Sequence, residues 1–310
     1  MPYNKSTVFL VLAGLLWGFG GLAGARLAGL TGLNPLAVAA YRLLIGGTVA
    51  TLALLPRVKR LPRTKSAARR LVTAGVLLAV YQTTYFGAVA LTSVSLATMV
   101  TIGGVPVIVA LVTAVRARRM PSPRTVTCVL LAVAGLGLLA GSPSTKDVWA
   151  TVAGVALCVL TSAVFATLLL VTRRPVAGLS SGATTGLGLL VGGLLLLPVA
   201  LPLGMAIPLT PNVVLTALFF GTVPTALAYG AYFIGLRHAN AVVAAVSAML
   251  EPLTATVLSV VFFHEHLGLV GTVGAVLLGV ALVVNYSAQS GSADGEPALP
   301  AQARGAEVGV

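Results

Sequence analysis

The sequence predicts an all-α integral membrane protein in which ten transmembrane helices form two inverted five-helix repeats. Hydrophobic residues make up 58% of the 310 residues and charged residues only 8%, whereas an average soluble domain carries roughly 25% charged residues. Apolar runs of about 20 residues recur along the chain, and basic residues collect in alternate loops. A surface with so few charges excludes an ordinary water-soluble enzyme, a disordered chain and a secreted disulfide scaffold.

Ten apolar runs reach or approach the length that crosses the hydrocarbon core of a bilayer. Helix-breaking prolines divide some of them: Asn34-Pro35 lies between the first and second runs, and Pro208 lies between the seventh and eighth. The run at 126–141 is the shortest. The predicted spans cover about residues 7–30, 36–55, 71–90, 94–115, 126–141, 148–171, 181–203, 213–235, 241–263 and 270–286.

Lys and Arg residues lie almost entirely on one side of the predicted membrane. Of the 19, sixteen fall on that side, two fall on the other, and Arg42 lies inside a span. Because cytoplasmic loops are enriched in Lys and Arg, we expect a multi-pass cell-membrane protein with both termini in the cytoplasm. The same rule accounts for the net charge of +13, so no nucleic-acid partner is expected. Residues 287–310 are predicted to form a disordered cytoplasmic tail.

The predicted spans divide into two halves of five, residues 7–141 and 148–286. An odd number of crossings per half means that the second half enters the membrane from the opposite side. A shift of 146 residues places Pro106 on Pro252, so the fourth and ninth spans carry a proline at similar depth. Inverted repeats are a recurrent architecture of secondary transporters, with the substrate site near the midplane between the halves.

Short motifs occur in a fixed order along the chain. They are Leu15-Leu16-Trp17-Gly18, Tyr41-Arg42, the stretch from Tyr85 to Ser95, the stretch from Ala241 to Leu250 followed by Glu251-Pro252, His264-Glu265-His266, and the glycines Gly271, Gly274 and Gly279. In this order they resemble EamA-type transporters of the drug/metabolite transporter superfamily, over about residues 7–286. The resemblance implies two EamA-like repeats and a carrier of small organic metabolites, often an exporter. The family usually has Gly where this chain has His264.

We therefore expect a secondary transporter, an exporter of amino acids or related compounds, that works by alternating access around a central cavity. Its partners would be membrane lipid and a small-molecule substrate. An integral membrane channel or assembly protein is the alternative, followed by an intramembrane enzyme. A channel would carry a polar stripe or a charged ring, and an enzyme would need more acid–base groups than the single acid inside the spans. The sequence leaves proton coupling and a homodimer open.

Glu251 is the sharpest candidate site residue. It lies about ten residues into the ninth span, which is about 15 Å deep at a rise of 1.5 Å per residue. An ionisable group at that depth costs roughly 2.5–3.5 kcal/mol on insertion scales, and such groups usually face a water-filled cavity or a partner. We expect Glu251 to face the central cavity and to bind a cationic substrate group or couple a proton. The alternative is a protonated structural Glu bonded to a backbone carbonyl.

Arg42 is the basic residue that lies inside a span. Its guanidinium could bind a substrate carboxylate or pair with a protein carboxylate, and its long stem could instead extend to the outer membrane surface. Glu251 is the acid inside the spans. Whether the two side chains face one cavity cannot be read from the sequence.

Aromatic and polar side chains recur at helical spacing inside the spans. Tyr81 and Tyr85 lie four residues apart and share a helix face, as do Tyr229 and Tyr232 at a spacing of three. Aromatic walls with a few polar groups are typical of ligand pockets, while core packing is the alternative for each residue. The candidates for the cavity wall are Trp17, Tyr81, Gln82, Tyr85, Tyr229, Tyr232 and Ser247, the last on the same helix face as Glu251.

Three prolines lie inside predicted spans: Pro106, Pro224 and Pro252. A proline has no amide proton, so the carbonyl four residues earlier loses its usual partner. The carbonyls of Ile102, Phe220 and Ala248 are thereby predicted to be free for a ligand, or for bending during alternating access. Static kinks are the alternative.

No cofactor, resident metal or catalytic residue is expected. His264 and His266 would need a third ligand to hold a metal ion. Cys128 and Cys158 have no metal-binding spacing and are expected to be small buried hydrophobes. The chain carries no nucleotide-binding motif, so a solute or ion gradient would supply the energy for transport.

Overall fold

The computed structural model describes residues 3–54, 64–92, 94–140, 148–237, 239–263 and 268–291. These residues form α-helices joined by short connections, without a named strand in the described part of the chain. The all-α prediction is therefore confirmed. The helices are α1 (Tyr3–Thr31), α2 (Pro35–Leu54), α3 (Lys65–Leu91), α4 (Val94–Ala117), α5 (Pro123–Ala140), α6 (Val148–Thr172), α7 (Ser181–Ala200), α8 (Pro211–Gly221), α9 (Ala228–Leu236), α10 (Ala241–Ser247), α11 (Leu250–Phe263) and α12 (Leu269–Gly291).

Eight segments of the described chain are long and apolar enough to cross a membrane. Two of them contain more than one helix: Pro211–Leu236 joins α8 to α9, and Ala241–Leu258 joins α10 to most of α11. Two further apolar segments, Pro123–Leu138 and Leu269–Asn285, are shorter. The protein thus crosses the membrane many times, and the count of ten spans stays a prediction. Helix α12 continues to Gly291, past the predicted end at residue 286.

An offset of 146 residues relates the helices of the two halves. It carries the start of α3 at Lys65 onto the start of α8 at Pro211, and the start of α2 at Pro35 onto the start of α7 at Ser181. The packing follows the same relation: α2 packs on its counterpart α7 and α5 on its counterpart α12, while α1 packs on α9 and α11 as α6 packs on α3 and α4. This reciprocal pattern is what two repeats related by an approximate two-fold axis produce.

The crossing of α2 and α7 shows this symmetry at the level of single atoms. A Cβ on Gly47 would overlap the backbone of Leu190, and a Cβ on Gly193 would lie 2.9 Å from the backbone nitrogen of Leu44. The offset of 146 carries Gly47 onto Gly193 and Leu44 onto Leu190. Small residues at such crossings let the helices approach closely, which is how helices associate in lipid.

Two of the three prolines accompany a departure from regular α-helix. Pro224 lies in a π-helical segment, Thr222–Leu227, between α8 and α9, and Pro252 lies just after the break at Ala248–Met249 that separates α10 from α11. Pro106 lies inside α4, which stays one helix. The segments predicted as the eighth and ninth spans are therefore each found as one span with a local irregularity, because the missing proline amide favours a local change of hydrogen-bond register.

Candidate functional site

A cavity of about 700 Å³ lies between the two repeats. This volume falls within the range of roughly 300–1,000 Å³ that small-molecule sites occupy. Helices α1, α2, α3, α4 and α5 of the first repeat line it together with α8 and α11 of the second. The wall is mainly aromatic, aliphatic and glycine, with a small number of polar side chains.

The cavity lies toward one end of the helix bundle. The residues of α1 that line it run from Trp17 to Ala28, in the second half of that helix, whereas those of α2 run from Pro35 to Arg42, in the first half. Because successive helices run in opposite directions, both sets lie near the end of the bundle where α1 ends. The lining residues of α3, α4 and α5, and those of the spans Pro211–Leu236 and Ala241–Leu258, also lie in the half of their segment nearer this end. We call this end the open end.

The opposite end, where α3, α7 and α10 begin, is called the closed end. Ala67, Leu179 and Ala183 form a buried apolar cluster there. Arginine side chains also donate hydrogen bonds to backbone carbonyls there. Arg70 Nη1 donates to the Arg174 carbonyl oxygen at 2.8 Å, and Arg173 Nε donates to the Ala239 carbonyl oxygen at 3.0 Å. Among the described residues, the cavity lining therefore lies toward the open end, whereas packed side chains and hydrogen bonds fill the closed end.

Glu251 lines the cavity in the first turn of α11. The break before it leaves the Ala248 carbonyl to accept from the Glu251 amide at 3.1 Å. A carboxylate in the first turn of a helix interacts favourably with the helix dipole. The described residues give this carboxylate neither a hydrogen bond nor an ion pair, so it faces the cavity unpaired.

Arg42 lines the same cavity from α2. Its Nε donates to the Thr225 hydroxyl at 3.1 Å and its Nη2 donates to the Pro224 carbonyl at 3.3 Å. The guanidinium carbon lies 5.4 Å from the centroid of the Phe220 ring, within the range of a cation–π contact. Arg42 thus binds the π-helical segment rather than Glu251, and three of its five N–H donors have no hydrogen-bond partner in the described part of the chain.

Trp17, Tyr81, Gln82 and Tyr85 also line the cavity. The rings of Tyr81 and Tyr85 are nearly parallel, with centroids 6.3 Å apart, and the Tyr85 hydroxyl lies 2.7 Å from the Thr98 hydroxyl. Trp17 is only 3% exposed, and its indole N–H has no hydrogen-bond partner among the described residues. A buried indole N–H is an unused donor at the cavity wall.

Tyr229, Tyr232 and Ser247 lie behind the wall rather than in it. The Tyr232 hydroxyl donates to the Ala244 carbonyl at 3.1 Å, and the Ser247 hydroxyl donates to the Val243 carbonyl at 2.7 Å. Tyr229 packs edge-on against Trp17 at a centroid distance of 5.1 Å. The shared helix face predicted for Ser247 and Glu251 is lost because the chain leaves α-helical register between them. The two tyrosines hold the Trp17 ring in place.

The carbonyls predicted to be free beside two of the prolines are occupied. The Phe220 carbonyl accepts from the Thr225 hydroxyl at 2.7 Å, and the Ala248 carbonyl accepts from the Glu251 amide. That prediction is wrong at these two positions, because local donors replace the missing proline amide. Pro252 itself lines the cavity, whereas Pro106 and Pro224 do not.

Sequence reasoning missed several lining residues. Phe220, which lies under Arg42, precedes Pro224 by one helical turn, and this spacing is the signal that could have found it. No sequence pattern indicates Thr98, whose role at the wall is its hydroxyl contact with Tyr85. The other missed lining residues include Phe86, Met99, Ile102, Leu136 and Thr256.

The described residues contain no group of three potential metal ligands. His264 and His266 lie outside the described residues. Cys128 and Cys158 are buried and free, as expected.

Comparisons with known proteins agree with this architecture. A sequence model of the EamA-like transporter family matches residues 4–141 and again residues 152–287. An uncharacterized transporter of Bacillus subtilis (strain 168), YwfM, is 31% identical over 285 residues, which cover 92% of this chain and 94% of that protein. A crystal structure described only as that of a protein shares the fold with a TM-score of 0.78 at 20% identity, over 93% of this chain and 98% of that one. The chain therefore belongs to the EamA-like transporter family and is a multi-pass membrane transporter rather than an enzyme.

Proposed function

We propose that the protein is a secondary transporter that exports amino acids or closely related zwitterionic metabolites across the cell membrane. One observation carries the proposal: a single cavity between the repeats holds one carboxylate, Glu251, and one guanidinium, Arg42, within a largely apolar and aromatic wall. No hydrogen bond or ion pair among the described residues joins these two groups. The cavity therefore offers an acceptor for an ammonium and a donor for a carboxylate.

The substrate's ammonium group would bind the unpaired Glu251 carboxylate. Its carboxylate would bind the remaining donors of Arg42, and the indole N–H of Trp17 is a further unused donor at the wall. Hydrogen bonds to charged groups contribute roughly 1.5–3 kcal/mol each. The substrate's side chain would then pack on apolar wall residues such as Tyr81 and Ile102, which favours neutral, apolar side chains over charged ones.

The predicted orientation assigns this structure to one access state of the proposed exporter. With both termini in the cytoplasm, the open end of this structure faces outside, because α1 ends there. The structure would then represent the state that releases an exported substrate. A proton bound by Glu251 after release would couple export to the proton gradient. A homodimer stays a prediction of the sequence.

Counterflow in proteoliposomes tests the proposal. Liposomes containing the full chain are loaded with unlabelled leucine, and entry of labelled leucine is followed against time. The matched competitors are leucinamide, which lacks the carboxylate, and 4-methylpentanoate, which is leucine without the ammonium. We expect saturable leucine exchange that unlabelled leucine inhibits at least tenfold more strongly than either analogue, since each analogue loses one charge-assisted pair.

Two outcomes would contradict the proposal. Equal inhibition by leucine and by one of the analogues would show that the corresponding charge is not recognised. Exchange absent for neutral, basic and acidic amino acids alike would exclude amino acids as substrates. A lipid-exposed variant, Thr167→Val, should exchange leucine like the wild type and serves as the control for reconstitution.

A further inference from the structure

A small basic depression lies at the closed end of the bundle, opposite the mouth of the cavity. Arg70 of α3, Arg174 in the α6–α7 connection and Arg237 just after α9 line it, together with Ser181 and Thr184 of α7. Three arginines from three separate segments thus meet at the N-terminus of one helix. The free volume is about 10 Å³, roughly the space that one water molecule needs.

Two of the arginines are fixed by backbone carbonyls. Arg70 Nη1 donates to the Arg174 oxygen at 2.8 Å, and Arg237 Nη2 donates to the Leu179 oxygen at 3.3 Å. Each guanidinium keeps further donors, because it has five N–H groups. Glu251 is the one Asp or Glu among the described residues, and it lines the cavity. Within the described chain the three positive charges are therefore not neutralised.

The N-terminus of α7 adds neutral donors to the charges. The Ser180 hydroxyl caps the helix by accepting from the Ala183 amide at 3.1 Å. The amides of Ser181 and Gly182, in the first turn, have no acceptor within the helix. Such a helix end favours an anion through its dipole and its free amides.

The hydroxyl of Ser181 is an independent indication of a ligand. Ser181 is only 8% exposed, lines the depression, and has no side-chain hydrogen bond to the described residues. The hydroxyl oxygen keeps some accessible surface and so opens into the depression, and a hydroxyl on a residue this deeply buried favours a hydrogen-bond partner there. A ligand oxygen in the depression would supply the missing partner.

We propose that the depression binds an oxyanion of the phosphate type. One phosphate oxygen would enter between Ser181 and Arg70, and the remaining oxygens would contact the exposed side chains of Arg174 and Arg237. The same chemistry is provided by the headgroup of an anionic phospholipid and by free phosphate. The position at the ends of membrane-spanning helices favours the lipid, and anionic lipids attract basic groups at the membrane surface.

Binding here would have a consequence for the transport cycle. Arg70 belongs to the first repeat, whereas Arg174, Ser181 and Arg237 belong to the second. A phosphate that bridges them would hold the two repeats together at the closed end. It would therefore favour the conformation whose cavity is accessible from the open end.

Thermal unfolding of the purified full chain in a nonionic detergent tests the proposal. The midpoint temperature is followed against the concentration of inorganic phosphate or of short-chain phosphatidylglycerol, with sodium chloride at equal ionic strength as the reference. We expect at least one of the two probes to raise the midpoint saturably. The Arg174→Gln and Arg237→Gln variants should each weaken the apparent Kd by about tenfold, the equivalent of one charge-assisted hydrogen bond.

The control is Arg116→Gln, which removes an exposed arginine from the end of α4 on the same side of the bundle. Its Kd should stay within about twofold of the wild type. If an arginine variant does not fold, Ser181→Ala removes a single oxygen and should still weaken binding by about fivefold. A saturable rise of the midpoint temperature with phosphatidylglycerol alone assigns the site to a lipid headgroup. A saturable rise with both probes assigns it to phosphate in general.

The proposal is overturned if neither probe shifts the midpoint beyond chloride. It is also overturned if Arg116→Gln weakens binding as much as Arg237→Gln, because diffuse surface charge would then explain the effect. The measurement needs no transported substrate, so its outcome is independent of the proposed transport of amino acids.

Discussion

The open and closed ends of the bundle are built from equivalent helices but held by different chemistry. At the closed end, Arg70 and Arg173 bind backbone carbonyls of neighbouring segments. The offset of 146 residues carries these arginines onto Thr216 and, in the reverse direction, onto Leu27, so the open end has no arginine at either position. The repeats share their helix packing, yet the hydrogen bonds at the two ends differ. Under the proposed alternating access, the energies of the two access states therefore need not be equal.

The cavity is likewise asymmetric. Glu251 and Arg42 correspond under the same offset to Val105 and Gly188. Each repeat therefore supplies one charge of the pair, and neither charge has a charged counterpart in the other repeat. A substrate that contacts both groups would contact both repeats at once, as alternating access between two repeats requires.

The largest effect is expected from removing the cavity carboxylate. Glu251→Gln should lower leucine counterflow by about a hundredfold, because the substrate ammonium loses its charged partner. Glu251→Asp keeps the charge on a shorter stem and should retain more activity. The measurement is the initial exchange rate at equal protein content. A Glu251→Gln rate equal to that of Thr167→Val would remove Glu251 from the mechanism.

The shared packing of the repeats is tested at the crossing of α2 and α7. Gly47→Val and Gly193→Val should each lower the free energy of unfolding by about 1–3 kcal/mol, because the new side chain overlaps a backbone. The two losses should be similar, since the sites are related by the repeat. Gly29→Ala, where a Cβ meets nothing within 4 Å, should not lower the free energy of unfolding, because Ala is more favourable than Gly in a helix by up to about 1 kcal/mol. Unfolding is followed by titration with a denaturing detergent, and unequal losses would contradict the two-fold relation.

At Arg42, leucine counterflow should depend on the planar shape of the guanidinium and not only on its positive charge. Arg42→Lys should lower leucine counterflow by about tenfold, because Lys cannot bind a carboxylate and the π-helical segment with one planar group. Thr225→Val removes one acceptor of Arg42 and should lower the rate less. Counterflow unchanged in Arg42→Lys would mean that Arg42 acts only as a positive charge.

The smallest effect is expected from removing a single hydrogen bond at the closed end. Arg173→Gln removes the hydrogen bond to the Ala239 carbonyl and should shift the population toward the conformation that closes the open end. In a background carrying Ala28→Cys on the cavity wall, labelling by an impermeant thiol reagent from outside the cell should slow by about twofold. The matched control is again Arg116→Gln. Faster labelling in Arg173→Gln would show that this hydrogen bond does not hold the closed end.

Much of this architecture was predictable because it depends on local composition. Runs of apolar residues must be helical in lipid, since a backbone without water has to satisfy its own hydrogen bonds. An ionisable residue such as Glu251 at mid-membrane depth indicates a cavity, because placing its charge in lipid would cost free energy. The offset of 146 residues, seen first from Pro106 and Pro252, also relates the observed helix bounds.

The arrangement around the prolines was not predictable from local patterns. Helical periodicity placed Ser247 beside Glu251, but the break at Ala248–Met249 separates them. The binding of Arg42 to Pro224 and Thr225 joins residues about 180 positions apart, and no local pattern predicts such a contact.

Membrane class, helix type and the identity of the buried charges thus follow from the order of residues along the chain, because the bilayer imposes the same requirements on every segment. Which side chains share the cavity, which end is closed and which carbonyls the arginines bind were decided by helix packing. These features depend on contacts between distant segments, and their geometry is set by close approaches such as that of Gly47 to Leu190. The tertiary structure therefore determines the site, while the sequence limits the residues that can form it.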